Sequence, residues 1–390
     1  MTRPAPGPGP DPGPGPGPDP GETTARRLAG LARRLAETRG GAAIEIAVTP
    51  KDEVWREGRI TLHRYRPVVP RPRLGPLMIL HGLIGRQTMT DLEPGRSLVA
   101  RLLEAGIDLW VLDWGNPTRA DRFKDFTDYA EHHLGDALAA LRAASGAPKA
   151  ALFGICEGGV FAAIHAARHP DRVLGLALAV TPIDFHADAL DPDPRRGLLN
   201  VWVRSLPPEL IRALIDERGN LPGQLTGALF QQLAPARTLA KYTADLVELA
   251  DDPAALDTFL RMEKWLADRP DHPGAAAKEW LIGLYHENRL VEGRFEIAGA
   301  PVDLSAIACP VLNIFAAEDH IIPPPSSRAL GPILAGRDYR ELEVPTGHVG
   351  VFVARRAQRI VAPAISRWLA RIARSARPAP ASAKRRRRSA

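Results

Sequence analysis

Cysteine is scarce in this chain. Its 390 residues carry two, Cys156 and Cys309, which allow one bridge at most and lack the paired spacing of a zinc site. Long apolar runs are missing as well: the longest, VLGLALAV, covers only Val173–Val180, far short of the 18 or more residues that span a bilayer. No basic stretch followed by an apolar core opens the chain. No P-loop or Rossmann glycine pattern appears, which removes the usual nucleotide cradles, and no internal repeat is visible. These absences lead to the expectation of a cytoplasmic protein with reduced thiols, no membrane span, no metal and no cofactor.

What is present fits an ordinary globular body, with 45% hydrophobic and 25% charged residues. The formal charge of +6 is misleading, because Arg371, Arg374, Arg377, Lys384 and Arg385 to Arg388 contribute eight positive charges with no acid among them. Residues 1–370 therefore carry a net −2, so the basic character belongs to a tail and gives no reason to expect nucleic acid on the folded body.

Residues 1–22 are dominated by Pro and Gly and read as a disordered arm. Leu28, Leu31 and Leu35 at helical spacing make 23–42 an amphipathic helix and linker. Strand-like runs then alternate with helical patterns, which indicates a mainly parallel, doubly wound sheet with crossover helices. Ile44–Val48 and Ile60–Tyr65 read as an opening hairpin. The further strands expected are Leu77–Leu80, Leu109–Leu112, Ala150–Phe153, Leu174–Val180, Val311–Phe315 and Tyr339–Val344, with helices at Ser97–Glu104, Phe126–Ala144, Gly158–Ala167 and Ala357–Ile372. The strand rhythm lapses for the 129 residues from Thr181 to Cys309, too long for a simple loop. The layout expected is a core over 43–183 and 301–373, a helical cap over 184–300 inserted between late strands, and a disordered basic tail over 374–390.

The sharpest chemical signal is Gly154-Ile155-Cys156-Glu157-Gly158-Gly159, directly after a strand and directly before a helical pattern. This is the pattern of a nucleophile elbow with cysteine in the serine position: the turn is so tight that glycines are needed two positions either side. It sets the sulfur at a helix N-terminus, where the dipole favours thiolate. In an α/β-hydrolase fold the acid and the histidine follow in that order. Asp319, in EDHIIPPP, and His348, in PTGHVG, supply both. His320 is the rival base and Asp184 the rival acid. The oxyanion donors expected are the backbone N–H of Glu157 and that of Ile84 in HGLIG, with Leu83 as the alternative to Ile84. A carboxylate beside a thiolate is unfavourable unless it reaches solvent or a cation, so Glu157 is expected to point away from the sulfur. Cys309 reads as a packed, inert thiol.

The motifs GICEGG, DWGNPTRADR, TPIDF, FLRMEKW with NRL downstream, CPVLNIFAAEDHIIPP and GHVGVFV, in this order from about Ala43 to Arg371, together resemble the catalytic subunit of class III polyhydroxyalkanoate synthases. The resemblance implies an α/β-hydrolase core that polymerises (R)-3-hydroxyacyl-CoA, short-chain 3-hydroxybutyryl-CoA first among them, into an intracellular polyester with release of CoA. It implies Cys156 as the acyl carrier, His348 as the base, and Asp319 as the acid that orients His348 or helps deprotonate the incoming hydroxyl. It also implies a second, non-catalytic subunit, a homo-oligomer and a place at polyester granules. The chain departs from the resembled pattern at Glu157, where Gln is usual, at Gly85, where Asn is common, and at Asn116, where an aromatic is common. The residues alone leave open a hydrolase using the same cysteine, such as a polyester depolymerase or a thioesterase, and a non-catalytic granule-associated protein.

Overall fold

The computed structural model describes residues 20–187, 197–232, 243, 246 and 248–375. Its centre is an eight-stranded sheet: β1 (Lys51–Glu57), β2 (Ile60–Tyr65), β3 (Leu74–Leu80), β4 (Ile107–Asp113), β5 (Ala150–Ile155), β6 (Val173–Ala179), β7 (Val311–Ala316) and β8 (Tyr339–Val344). The spatial order is β1-β2-β4-β3-β5-β6-β7-β8. β2 is antiparallel to both its neighbours and every other pairing is parallel.

The central strands are apolar at nearly every position because both faces are covered. Met78, Leu80, Leu152, Leu176 and Leu178 face the helices Leu134–Ser145 and Glu157–Arg168. Their alternates Leu77, Ile79, Phe153, Ala177 and Ala179 face Leu98–Glu104 and the C-terminal helix Arg355–Ser375. The first of these helices starts where Ser97 accepts the Ala100 N–H at 2.9 Å, an N-cap bond.

The expected hairpin partner is corrected. Ile44–Val48 is not a strand; β2 pairs with Lys51–Glu57 instead. Ala47 has a φ of +56° and donates its N–H to the Asp91 carbonyl, and Thr49 gives both its N–H and its hydroxyl to the Asp91 carboxylate. The Ala47 N–H and the residue just past the segment are thereby committed to Asp91 rather than to a sheet neighbour. The edge goes to KDEVWRE, whose charges suit a strand with one side open to water.

Between β6 and β7 stand the helices Leu198–Ser205, Pro208–Arg218 and Gly223–Gln232, then Gly274–Lys278 running into a π-helical stretch at Glu279–His286. The chain divides into two compact units. One comprises residues 1–44 and 235–260, the other 45–234 and 261–390. In the first, helix Pro20–Glu37 begins inside the stretch assigned to the arm. Arg34 makes a forked ion pair with Asp257, and Leu31 and Ile44 pack with Leu256 and Leu260. The rest of the arm and the basic run beyond Ser375 lie outside the described residues.

Candidate active site

β5 ends at Ile155 and a helix begins at Glu157, so Cys156 alone makes the turn, with φ +52° and ψ −122°. A non-glycine residue held there stores about 1–3 kcal/mol of strain, which the surroundings must over-determine. They do so by hydrogen bonds: Cys156 N–H donates to the Ala179 carbonyl on β6, and Gly159 N–H returns to the Cys156 carbonyl, each at 2.9 Å. The glycines are needed for close approach. A Cβ on Gly158 would collide with the carbonyl group of His81, and one on Gly154 with the backbone of Gly159.

Asp319 follows β7 and is fully buried. Its Oδ1 accepts the N–H groups of Ile321 and Ile322 at 2.9 Å, and its Oδ2 lies 2.7 Å from His348 Nδ1. His348 follows β8 on the loop leading to the short helix Gly350–Val353. Burial by itself disfavours the imidazolium, but the Asp319 charge and hydrogen bond, and after them a hydrogen bond and charge from Cys156, outweigh it and push His348 up to about 10. The structure thus brings Cys156, His348 and Asp319 together. Asp184 instead accepts from His186 N–H and Asn288 Nδ2, both at 2.8 Å. His320 is joined to the interposed helices through its carbonyl, which accepts the Leu198 N–H.

The raised histidine gives a pH prediction with a definite sign. A group whose folded pKa lies above its ordinary value of 6.5 stabilises the fold fully below about pH 6.5, and that contribution disappears as pH climbs towards 10. The melting temperature of the wild type relative to His348→Gln should therefore narrow steadily between those values. A difference independent of pH would contradict this electrostatic reading.

The expectation for the oxyanion donors in the HGLIG loop is partly corrected. Leu83 N–H is already spent, donating to Glu157 Oε2 at 2.7 Å, so the alternative donor is withdrawn. Among the described residues no acceptor takes the Ile84 N–H. Glu157 N–H opens its helix, where the first-turn donors have no intrahelical partner. The Glu157 side chain does not reach solvent; it is buried and its Oε1 meets His272 Nε2 at 2.7 Å. His272 lies 115 residues away in the chain and carried no sequence signal. The other departures are also placed. Gly85 has open space where a Cβ would sit. Asn116 Oδ1 accepts from Arg86, which also donates to the Gly115 carbonyl at 3.1 Å. Cys309 is buried, and burial pushes its thiol up to about 12, as an inert packed sulfur requires.

Beside this loop is an apolar cavity of about 350 Å³, walled by Ile84, Trp202, Phe230, His272 and Trp280 among others. No group of three or more His, Cys, Asp or Glu side chains is placed to hold a metal among the described residues. No described helix is long and apolar enough to cross a membrane.

Residues 75–354 match the family described as alpha/beta hydrolase fold. The chain is similar to the poly(3-hydroxyalkanoate) polymerase subunit PhaC of Allochromatium vinosum, 40% identical over 329 residues, which are 84% of this chain and 90% of that protein. It is 37% identical over 328 residues to the protein of the same name from Thiocystis violacea, again 84% of this chain and 90% of that one. It is 36% identical over 327 residues to that of a Synechocystis strain, covering 84% of this chain and 85% of that protein. With the strand order, the cysteine elbow and these relatives on one chain, the protein belongs to the PhaC family of poly(3-hydroxyalkanoate) polymerases, built on the α/β-hydrolase fold.

Proposed function

We propose that the protein polymerises (R)-3-hydroxyacyl-CoA, with 3-hydroxybutyryl-CoA as a first substrate, through a covalent acyl group on Cys156. The observation that carries this reading is the pairing of His348 with the buried Asp319, facing a cysteine held at a strained elbow. Cys156 sulfur attacks the thioester carbonyl, and the N–H groups of Glu157 and Ile84 receive the oxyanion. The carbon–sulfur bond to CoA breaks, and CoA leaves with the proton held on His348. Exchange of one thioester for another costs little, so the acyl group stays activated.

Acylation then changes the histidine. Once the sulfur is esterified it is neutral, and the share of the His348 elevation that comes from Cys156 is lost. The imidazole becomes free to take the proton of an incoming 3-hydroxyl, whose oxygen attacks the acyl enzyme, forms the ester and releases the Cys156 sulfur. Asp319 supports this step by orientation: its oxygens already hold two backbone N–H groups and Nδ1, so the second role open to it, direct deprotonation of the hydroxyl, is the less favoured. The cavity walled by Ile84 offers an apolar chain a place beside the oxyanion loop.

The proposal extends to a polyester granule as the working location and to a second, non-catalytic subunit with a homo-oligomer. The test is to incubate the protein, alone and with a candidate partner subunit, with (R)-3-hydroxybutyryl-CoA, following CoA release and the organic product. Polyester with CoA is expected. CoA with only free 3-hydroxybutyrate would move the assignment to a thioesterase.

A further inference from the structure

The residue after the nucleophile carries a side chain that acyl transfer, as described above, does not use. Glu157 is 1% exposed, yet both its carboxyl oxygens are engaged, Oε2 by Leu83 N–H and Oε1 by His272 Nε2, each at 2.7 Å. A carboxylate offers acceptors only, so the hydrogen at this contact is assigned to Nε2. His272 is equally buried, and its backbone N–H and carbonyl both pair with those of Leu221 at 2.9 Å. One side chain therefore ties together the elbow, the loop after β3 and the region interposed between β6 and β7.

The fit of the loop on Glu157 is close. A Cβ on Gly82 would lie 2.8 Å from both Cβ and Oε2 of Glu157, so the loop rests directly on this side chain. Leu83 N–H belongs to the peptide just before the one that carries Ile84 N–H. The same interposed segment grips the far end of the loop: Trp265 Nε1 donates to the Arg86 carbonyl and Arg86 Nε to Asp268, both at 3.2 Å. Keeping a carboxyl buried next to an apolar cavity costs stability unless every oxygen is bonded. Packing alone would be served as well by an apolar side chain.

We propose that Glu157 and His272 are positioning residues for acyl transfer. Glu157 holds the loop so that Ile84 N–H faces the oxyanion, and His272 holds Glu157, so that the oxyanion site is complete only while the segment 265–273 is seated on the elbow. This rests on Cys156 as acyl acceptor and Ile84 as oxyanion donor.

The experiment compares acylation with alkylation of the same sulfur. Alkylation of Cys156 by iodoacetamide passes through no oxyanion, whereas CoA release from (R)-3-hydroxybutyryl-CoA does. Glu157→Ala and His272→Ala should each lower kcat for CoA release about 100-fold, with KM and the Cys156 alkylation rate changed less than about threefold. The double variant should be no slower than the single ones, as expected for groups acting as one unit. Glu157→Gln should restore most of the rate lost in Glu157→Ala, because an amide can accept from Leu83 and donate to the other tautomer of His272. If His272→Ala does not fold, His272→Asn takes its place. Unchanged kcat in Glu157→Ala overturns the proposal. So does a parallel fall in alkylation, which would show a damaged elbow. A wild type that releases no CoA, while Cys156 is alkylated normally, would sink the synthase reading first and this one with it.

Discussion

Cys156→Ala should release CoA from (R)-3-hydroxybutyryl-CoA at no more than about one ten-thousandth of the wild-type rate. The size follows from what the elbow does. The turn between β5 and the following helix is held at φ +52° by hydrogen bonds that involve only the backbone of residue 156, so alanine keeps the geometry and removes the sulfur alone. The chain's other cysteine cannot take over, because Cys309 is buried with its thiol pushed up to about 12. Cys156→Ser keeps a nucleophile in place but would make an oxygen ester, which is less activated towards an incoming hydroxyl. It should stall before polymer forms even where some acylation survives. The check is CoA release with circular dichroism to confirm the fold; turnover within tenfold of wild type in the alanine variant would remove Cys156 from the mechanism.

Asp319→Asn should cost about 10³ to 10⁴ in the same assay while leaving substrate binding intact. Oδ1 of Asp319 accepts two backbone N–H groups and Oδ2 accepts His348 Nδ1–H. An asparagine must keep its oxygen towards the two N–H donors, since turning the amide would set hydrogens against hydrogens. Its NH₂ then faces His348 and forces the imidazole into the tautomer with hydrogen on Nε2. That ring cannot accept a proton from the attacking hydroxyl. The variant also loses the charge that raises His348. Single-turnover acylation and steady-state CoA release, measured side by side, separate the two steps. A loss confined to KM would contradict the orienting role.

Much of this was legible from the chain alone, for identifiable reasons. The buried parallel strands are short apolar runs ended by turn residues, as at Val311–Ala316, which is read to within one residue; the more exposed edge strand Tyr339–Val344 is read correctly at both ends. The elbow announces itself because its glycines are forced by close approach, and Asp319 and His348 by their places after the last two strands. The edge strand β1 was hidden, because KDEVWRE is exposed on most positions and shows no apolar alternation, while the more apolar Ile44–Val48 is tied to Asp91 through the Ala47 N–H instead. The partner of Glu157 could not be foreseen. His272 reaches it through the folding of the interposed helices, and no local pattern encodes a contact across 115 residues. The same holds for Arg86, whose partners Asn116 and Asp268 lie 30 and 182 residues along the chain.

The measurement that tests the central claim most directly is peptide mapping by mass spectrometry of protein quenched during turnover with (R)-3-hydroxybutyryl-CoA. The account predicts 3-hydroxybutyryl units, singly and as short chains, on the peptide that carries Cys156, and none on the peptide that carries Cys309. CoA released at the wild-type rate with no acyl group on Cys156, or with the adduct on another residue, would contradict it.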